Sequence, residues 1–134
     1  MKSITQKHPF GCGVVCVAFV IRKSYSEVMD VLVNDKANDE GFSCKELAQA
    51  LSGFGYPYIY KYLKPKLRSK IYQNGVIVFV KRSSKYPAGH YLVYSNGQWM
   101  DSWVNFAQDK DIKKAKSGFR KRLPGTPIYA LFPE

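Results

Sequence analysis

Residues 14–21, VVCVAFVI, are eight apolar residues in a row, preceded by Gly11-Cys12-Gly13 and stopped by Arg22-Lys23. A segment this apolar has no face to offer water, so it must be covered on all sides and the rest of the chain arranged around it. It is far short of the roughly 20 residues of a membrane span. Periodicity alone cannot separate a buried helix from a buried strand in so short a run. The following residues favour helix. Ser24-Tyr25-Ser26-Glu27 has the form of a capping box, with Ser24 as N-cap and Glu27 at the third helical position, so a new helix starts at once. The first helix is expected over about 12–23. The second has Val28, Val31 and Leu32 as its apolar face. Ser43 and Glu46 repeat the signature before Leu47, Ala50 and Leu51, and Gly53 or Gly55 ends that third helix.

After Pro57 the texture changes. Residues 58–63, 76–81, 90–95, 98–103 and 126–132 are rich in β-branched and aromatic side chains and read as strands. Asn96-Gly97 is the strongest hairpin signal in the chain. Residues 109–117 read as a short basic helix. Three helices followed by an antiparallel sheet of four to six strands make an α+β fold. The 134 residues are expected to form a single domain, helical over 1–56 and sheet over 57–134.

A hydrophobic content of 46% is enough for a core and excludes a disordered tail. No stretch has the form of a membrane span or a secretory signal, so a cytoplasmic location is expected. Three cysteines are an odd set for a disulfide framework. With two histidines and no CxxC pair, a zinc centre lacks ligands, and no cofactor is expected. Charge is segregated. Residues 1–56 hold 6 basic and 6 acidic side chains, whereas residues 57–134 hold 15 and 4, so the whole net charge of +11 lies in the second half. Such a half can attract an anionic partner, or can be a solvated face.

Cys12 stands at the mouth of the first helix rather than inside it. There the free N–H groups and the macrodipole favour a thiolate, and the flanking glycines let another backbone approach. Cys16 and Cys44 lie on apolar faces and read as core. A cysteine nucleophile needs a histidine to hold its proton and a group to orient that histidine. His90 opens the strand HYLVYS. With a two-residue turn at Asn96-Gly97, Asp101 falls opposite Leu92 and diagonal to His90, and a loop two residues longer would place His90 and Asp101 directly opposite; either register keeps both on one face. His8 is nearer to Cys12 in sequence, but Pro9 and a tight loop separate them and no acid lies nearby to orient it.

These residues carry a resemblance. The chain resembles the papain-like cysteine peptidases, most closely the bacteriocin-processing branch that cleaves double-glycine leader peptides. That family has a glutamine, five intervening residues, a cysteine followed by glycine, and a second cysteine. Here these are Gln6, Cys12, Gly13 and Cys16. Its histidine–aspartate region corresponds to GHYLVYSNGQWMDSW, with His90 and Asp101, and GFSCKELAQALSGFGY is similar to its second helical region. The chain departs from the family at Gly11, where an aspartate is common, and none of its stretches spans a membrane, whereas most members are fused to a transporter.

The resemblance implies a papain-like fold, a peptide or protein substrate, a catalytic set of Cys12, His90 and Asp101, and an oxyanion hole made by Gln6 and the backbone N–H of Cys12. Gln6 itself, a polar residue in an N-terminal loop, is expected to contribute little to packing. Two other readings remain. One is a cell-wall amidase or endopeptidase of related architecture. The other is an inactive papain-like module that binds a peptide or nucleic acid through the basic half.

Overall fold

The computed structural model describes residues 2–32, 37 and 41–134. The apolar run forms helix α1 (Cys12–Ile21), in which Gly13 to Phe19 and Ile21 are buried. It ends where Arg22 turns left-handed, two residues sooner than expected. Helix α2 (Tyr25–Val31) and helix α3 (Cys44–Gly53) both start with complete capping boxes, Ser24 with Glu27 and Ser43 with Glu46. Each cap satisfies otherwise orphaned N–H groups, and loss of such a cap typically costs about 1 kcal/mol. On α2, Val28 and Leu32 are buried as expected, but Val31 is 48% exposed and lies outside the apolar face.

Six strands form one antiparallel sheet in the order β1-β6-β2-β3-β4-β5: β1 (Tyr58–Tyr62), β2 (Ile77–Val80), β3 (His90–Ser95), β4 (Gln98–Asp101), β5 (Gly118–Arg120) and β6 (Pro127–Pro133). The β3–β4 hairpin turns on Asn96 and Gly97, both at positive φ. This is the backbone that a two-residue turn between right-twisted strands requires. Its register pairs Val93 with Met100 and Ser95 with Gln98. The expected basic helix is absent; residues Ile112–Lys114 make a single 3₁₀ turn, and the next segment becomes β5, a strand the sequence did not announce.

The sheet is covered on both faces. On one, α1, α2 and α3 pack against Ile77, Tyr91, Val93, Met100 and Leu131. On the other, Leu63, Ile71, Val76, Val78, Val80, Leu92, Trp99 and Ala130 form a second core, with Leu67 and Leu123 packed on it. Its cover includes the 3₁₀ segment Pro65–Ile71 in place of a long helix. Among the described residues no helix is long and apolar enough to cross a membrane.

Candidate active site

Cys12 is the first residue of α1. Gly11, the N-cap, supplies no side-chain cap to the helix. Space explains that glycine, because a Cβ there would collide with the Tyr25 hydroxyl. Cys12 is half-buried, whereas Cys16 and Cys44 are buried. Burial pushes both of those thiols up, Cys16 well above the ordinary range. Cys12 opens onto a cleft of about 760 Å³ whose walls also include Gln6, Cys44, Tyr86, His90 and Trp103. Cys44, expected as simple core, thus forms part of the cleft wall and contacts the Tyr91 hydroxyl at 3.7 Å.

His90 and Asp101 meet as the hairpin register requires. His90 Nε2 donates to Asp101 Oδ1 at 2.7 Å, with both side chains buried. Because the carboxylate engages Nε2, Nδ1 is the nitrogen left for another partner. Burial pulls the His90 pKa down. The bond to Asp101 and the interaction with the Cys12 thiol outweigh it, so the net direction is up. For Asp101 burial pushes up, and His90, the Trp103 N–H and Arg120 together hold it below the usual carboxylate range. The Trp103 N–H donates to Oδ1 at 2.9 Å, and Arg120 Nε donates to Oδ2 at 2.7 Å.

The approach to His90 is fixed by packing. Gly89 has φ +77°, and a Cβ there would run into the Phe79 ring. A larger residue would be strained in backbone and in space. Tyr86 stacks on His90 with ring centroids 4.8 Å apart and planes 7° from parallel, and Phe106 stacks on Tyr86 at 5.4 Å. The imidazole therefore has little freedom to turn away.

Gln6 is only 3% exposed, contrary to the expectation that a polar residue in this loop contributes little to packing. Its Nε2 donates to the carbonyls of His8 at 3.0 Å and Pro9 at 3.2 Å, and its Oε1 accepts from Ser102 Oγ at 2.6 Å. Two carbonyls on one side and a hydroxyl donor on the other fix which way the amide points. His8 is occupied elsewhere. Its Nδ1 pairs with the Tyr25 hydroxyl at 2.8 Å and the rings stack.

Sequence reasoning missed Arg120, Ser102 and Tyr86. Arg120 was submerged in a basic run. Ser102 follows Asp101 with nothing to mark it. Tyr86 lies in a loop, and only its spacing of four from His90 could have drawn notice.

No protein-family model matches the chain, and no curated protein is similar to it in sequence. Solved structures are similar in fold. The peptidase domain of Streptococcus ComA, a bi-functional ABC transporter involved in a quorum sensing pathway, superposes with a TM-score of 0.61 and 19% identity, covering 98% of this chain and 96% of that one. The peptidase domain of Streptococcus mutans ComA in complex with a small-molecule inhibitor gives 0.58 and 19%, covering 100% and 99%. The papain-like fold expected from the sequence is the fold observed.

Proposed function

We propose that the chain is a cysteine peptidase that cleaves after a double-glycine leader, with Cys12 as nucleophile, His90 as acid and base, and Asp101 as the group that orients His90. One observation carries this reading: the one half-exposed cysteine shares a cleft with a buried histidine whose far nitrogen is tied to a buried carboxylate at 2.7 Å. The shared fold with a peptidase domain supports it.

In this mechanism the Cys12 sulfur attacks the scissile carbonyl carbon and the C=O pair moves to oxygen. Collapse of the tetrahedral intermediate breaks the C–N bond, and His90 gives its proton to the leaving amine. Water then attacks the thioester, His90 takes a proton from it, and the acid leaves as the thiol is restored. The oxyanion is served by the Cys12 N–H at the open end of α1 and by Gln6. At rest both Gln6 N–H groups are turned on the His8 and Pro9 carbonyls, so one of those contacts is exchanged for the substrate oxygen. Lys45, Arg82 and Lys110 line the same cleft with one acid, Glu46, and that excess of basic groups suits a substrate segment bearing acidic residues.

The test is chemical. At mildly acidic pH iodoacetamide should label Cys12 well before Cys16 or Cys44. A peptide carrying an acidic leader that ends in Gly-Gly should be cut after the second glycine, and Cys12→Ala should abolish cleavage with the fold intact. Equal labelling of all three thiols would refute the nucleophile. Selective labelling without cleavage would favour a different amide substrate, such as a wall peptide.

A further inference from the structure

Asp101 does not serve His90 alone. Its second oxygen is held by Arg120 Nε at 2.7 Å, and Arg120 Nη2 donates to the Val104 carbonyl at 2.9 Å, on the segment that leaves β4. Arg120 sits on the edge strand β5 opposite Trp99, on the diagonal from Asp101, whose direct partner is Gly118. The guanidinium is therefore clamped between the carboxylate and the chain that carries it. Its side chain is 23% exposed, while that of Asp101 is fully buried.

We propose that Arg120 is a positioning residue for the reaction, one that fixes the Asp101 carboxylate and shares its charge, so that His90 is oriented without its proton being held too tightly to give away. This rests on the peptidase reading above.

The electrostatic surroundings make the role specific. His90 from β3, Arg120 from β5 and the Trp103 N–H bond Asp101 directly. From α1, Cys12 acts on His90, and Cys16 lies within the field of Asp101. From the loop before β3, Tyr86 stacks on His90 and lies within the field of both Asp101 and Arg120. Among these groups Arg120 is the one that brings a planar guanidinium, able to hold the carboxylate and the Val104 carbonyl at once. A carboxylate bonded to His90 alone would place its full charge on the imidazolium and pull its proton tighter. Shared with Arg120, the same carboxylate stays ionised to lower pH and attracts that proton less.

The full-length chain with Arg120→Gln and with Arg120→Lys tests this. The readouts are the pH dependence of Cys12 alkylation and of kcat/KM on the glycine-glycine peptide, together with the His90 titration followed by NMR. In Arg120→Gln both limbs of the profile should move to higher pH, by roughly one unit, because an adjacent guanidinium typically lowers a carboxylate by 1–3 units. Arg120→Lys keeps the charge but not the two-point clamp. It should hold both limbs at their wild-type positions while kcat falls. Limbs that stay in place in Arg120→Gln would overturn the proposal even if activity dropped, since that pattern belongs to a purely structural arginine. If Arg120→Gln fails to fold, Arg120→Met, which keeps the stem and removes the charge, takes its place with the same expected shift, and limbs that stay in place there would overturn the proposal. The NMR titration needs no substrate. If the wild-type protein neither reacts selectively nor cleaves, the peptidase reading fails, while an upward move of His90 in Arg120→Gln still upholds the electrostatic role of Arg120.

Discussion

The two faces of the sheet are built on different principles. The helix-covered face is made of three regular helices, two of which start with complete capping boxes. The opposite face is closed by irregular chain, notably the 3₁₀ segment Pro65–Ile71, in which Leu67 and Ile71 alternate with Lys66, Arg68 and Lys70. Cys12 belongs to the first side, at the end of α1. His90 and Asp101 belong to the second, on strand positions that alternate with Tyr91 and Met100 and share a face with Leu92 and Trp99. The candidate site lies where the two cores meet at one end of the sheet. Either core can then be disturbed separately, and the damage should reach the chemistry from a different side.

The largest expected effect is at the seam. Gln6 ties the N-terminal segment to Ser102 just beyond β4. Gln6→Ala should lower turnover by roughly 10²–10³ if the oxyanion role holds. Because its removal leaves buried polar groups unpaired, it should also cost about 1–3 kcal/mol in stability, seen as a lower urea midpoint. Loss of stability with turnover unchanged would leave Gln6 as a structural tie only.

Next comes a matched pair. Leu47 and Leu92 are both fully buried, one in each core. Either change to alanine should cost about 2–5 kcal/mol. Leu47 packs against Gly13 beside Cys12, so Leu47→Ala should alter the Cys12 alkylation rate. Leu92→Ala should instead alter the His90 titration. If both variants moved the same readout equally, the division into two sides would be wrong.

The smaller effect is in pH. Asp101 is held below its unfolded value, so its contribution to stability is present above about pH 4 and is lost as pH falls through the folded value. His90 is raised, so its contribution is complete below about pH 6.5 and is lost as pH rises through the folded value. Urea midpoints should therefore be highest between these limits, and Asp101→Asn should flatten the acid side. An acid slope that survives in Asp101→Asn would assign it to other carboxylates.

The helix-covered face was the legible one. Capping boxes are local signals, and eight apolar residues in a row leave few options for burial. The His90–Asp101 pairing was also legible, because Asn96-Gly97 fixes the hairpin register and strand alternation does the rest. The opposite face was not. A 3₁₀ segment has no long period to read, and β5 is three residues long. Arg120 and Lys121 look alike in a basic run, yet only Arg120 bonds Asp101, and that depends on an edge strand with no sequence signature of its own. The burial of Gln6 was hidden for a similar reason, since its partner Ser102 lies 96 residues away.

That separation matters for chain entropy. The bond between His90 and Asp101 closes a loop of 11 residues, while the one between Gln6 and Ser102 closes 96. For a flexible chain the longer closure costs roughly 2 kcal/mol more. The His90–Asp101 pair is thus an inexpensive local product of one hairpin, and the N-terminal segment bears the cost of long-range closure. Local opening should follow that difference, with native-state hydrogen exchange faster at the Gln6 amide, which bonds the Ser102 carbonyl, than at the paired amides of β3. When the N-terminal segment loosens, Gln6 parts from Ser102 while the histidine–aspartate pair remains assembled, so the proposed oxyanion donor can be lost long before the fold is.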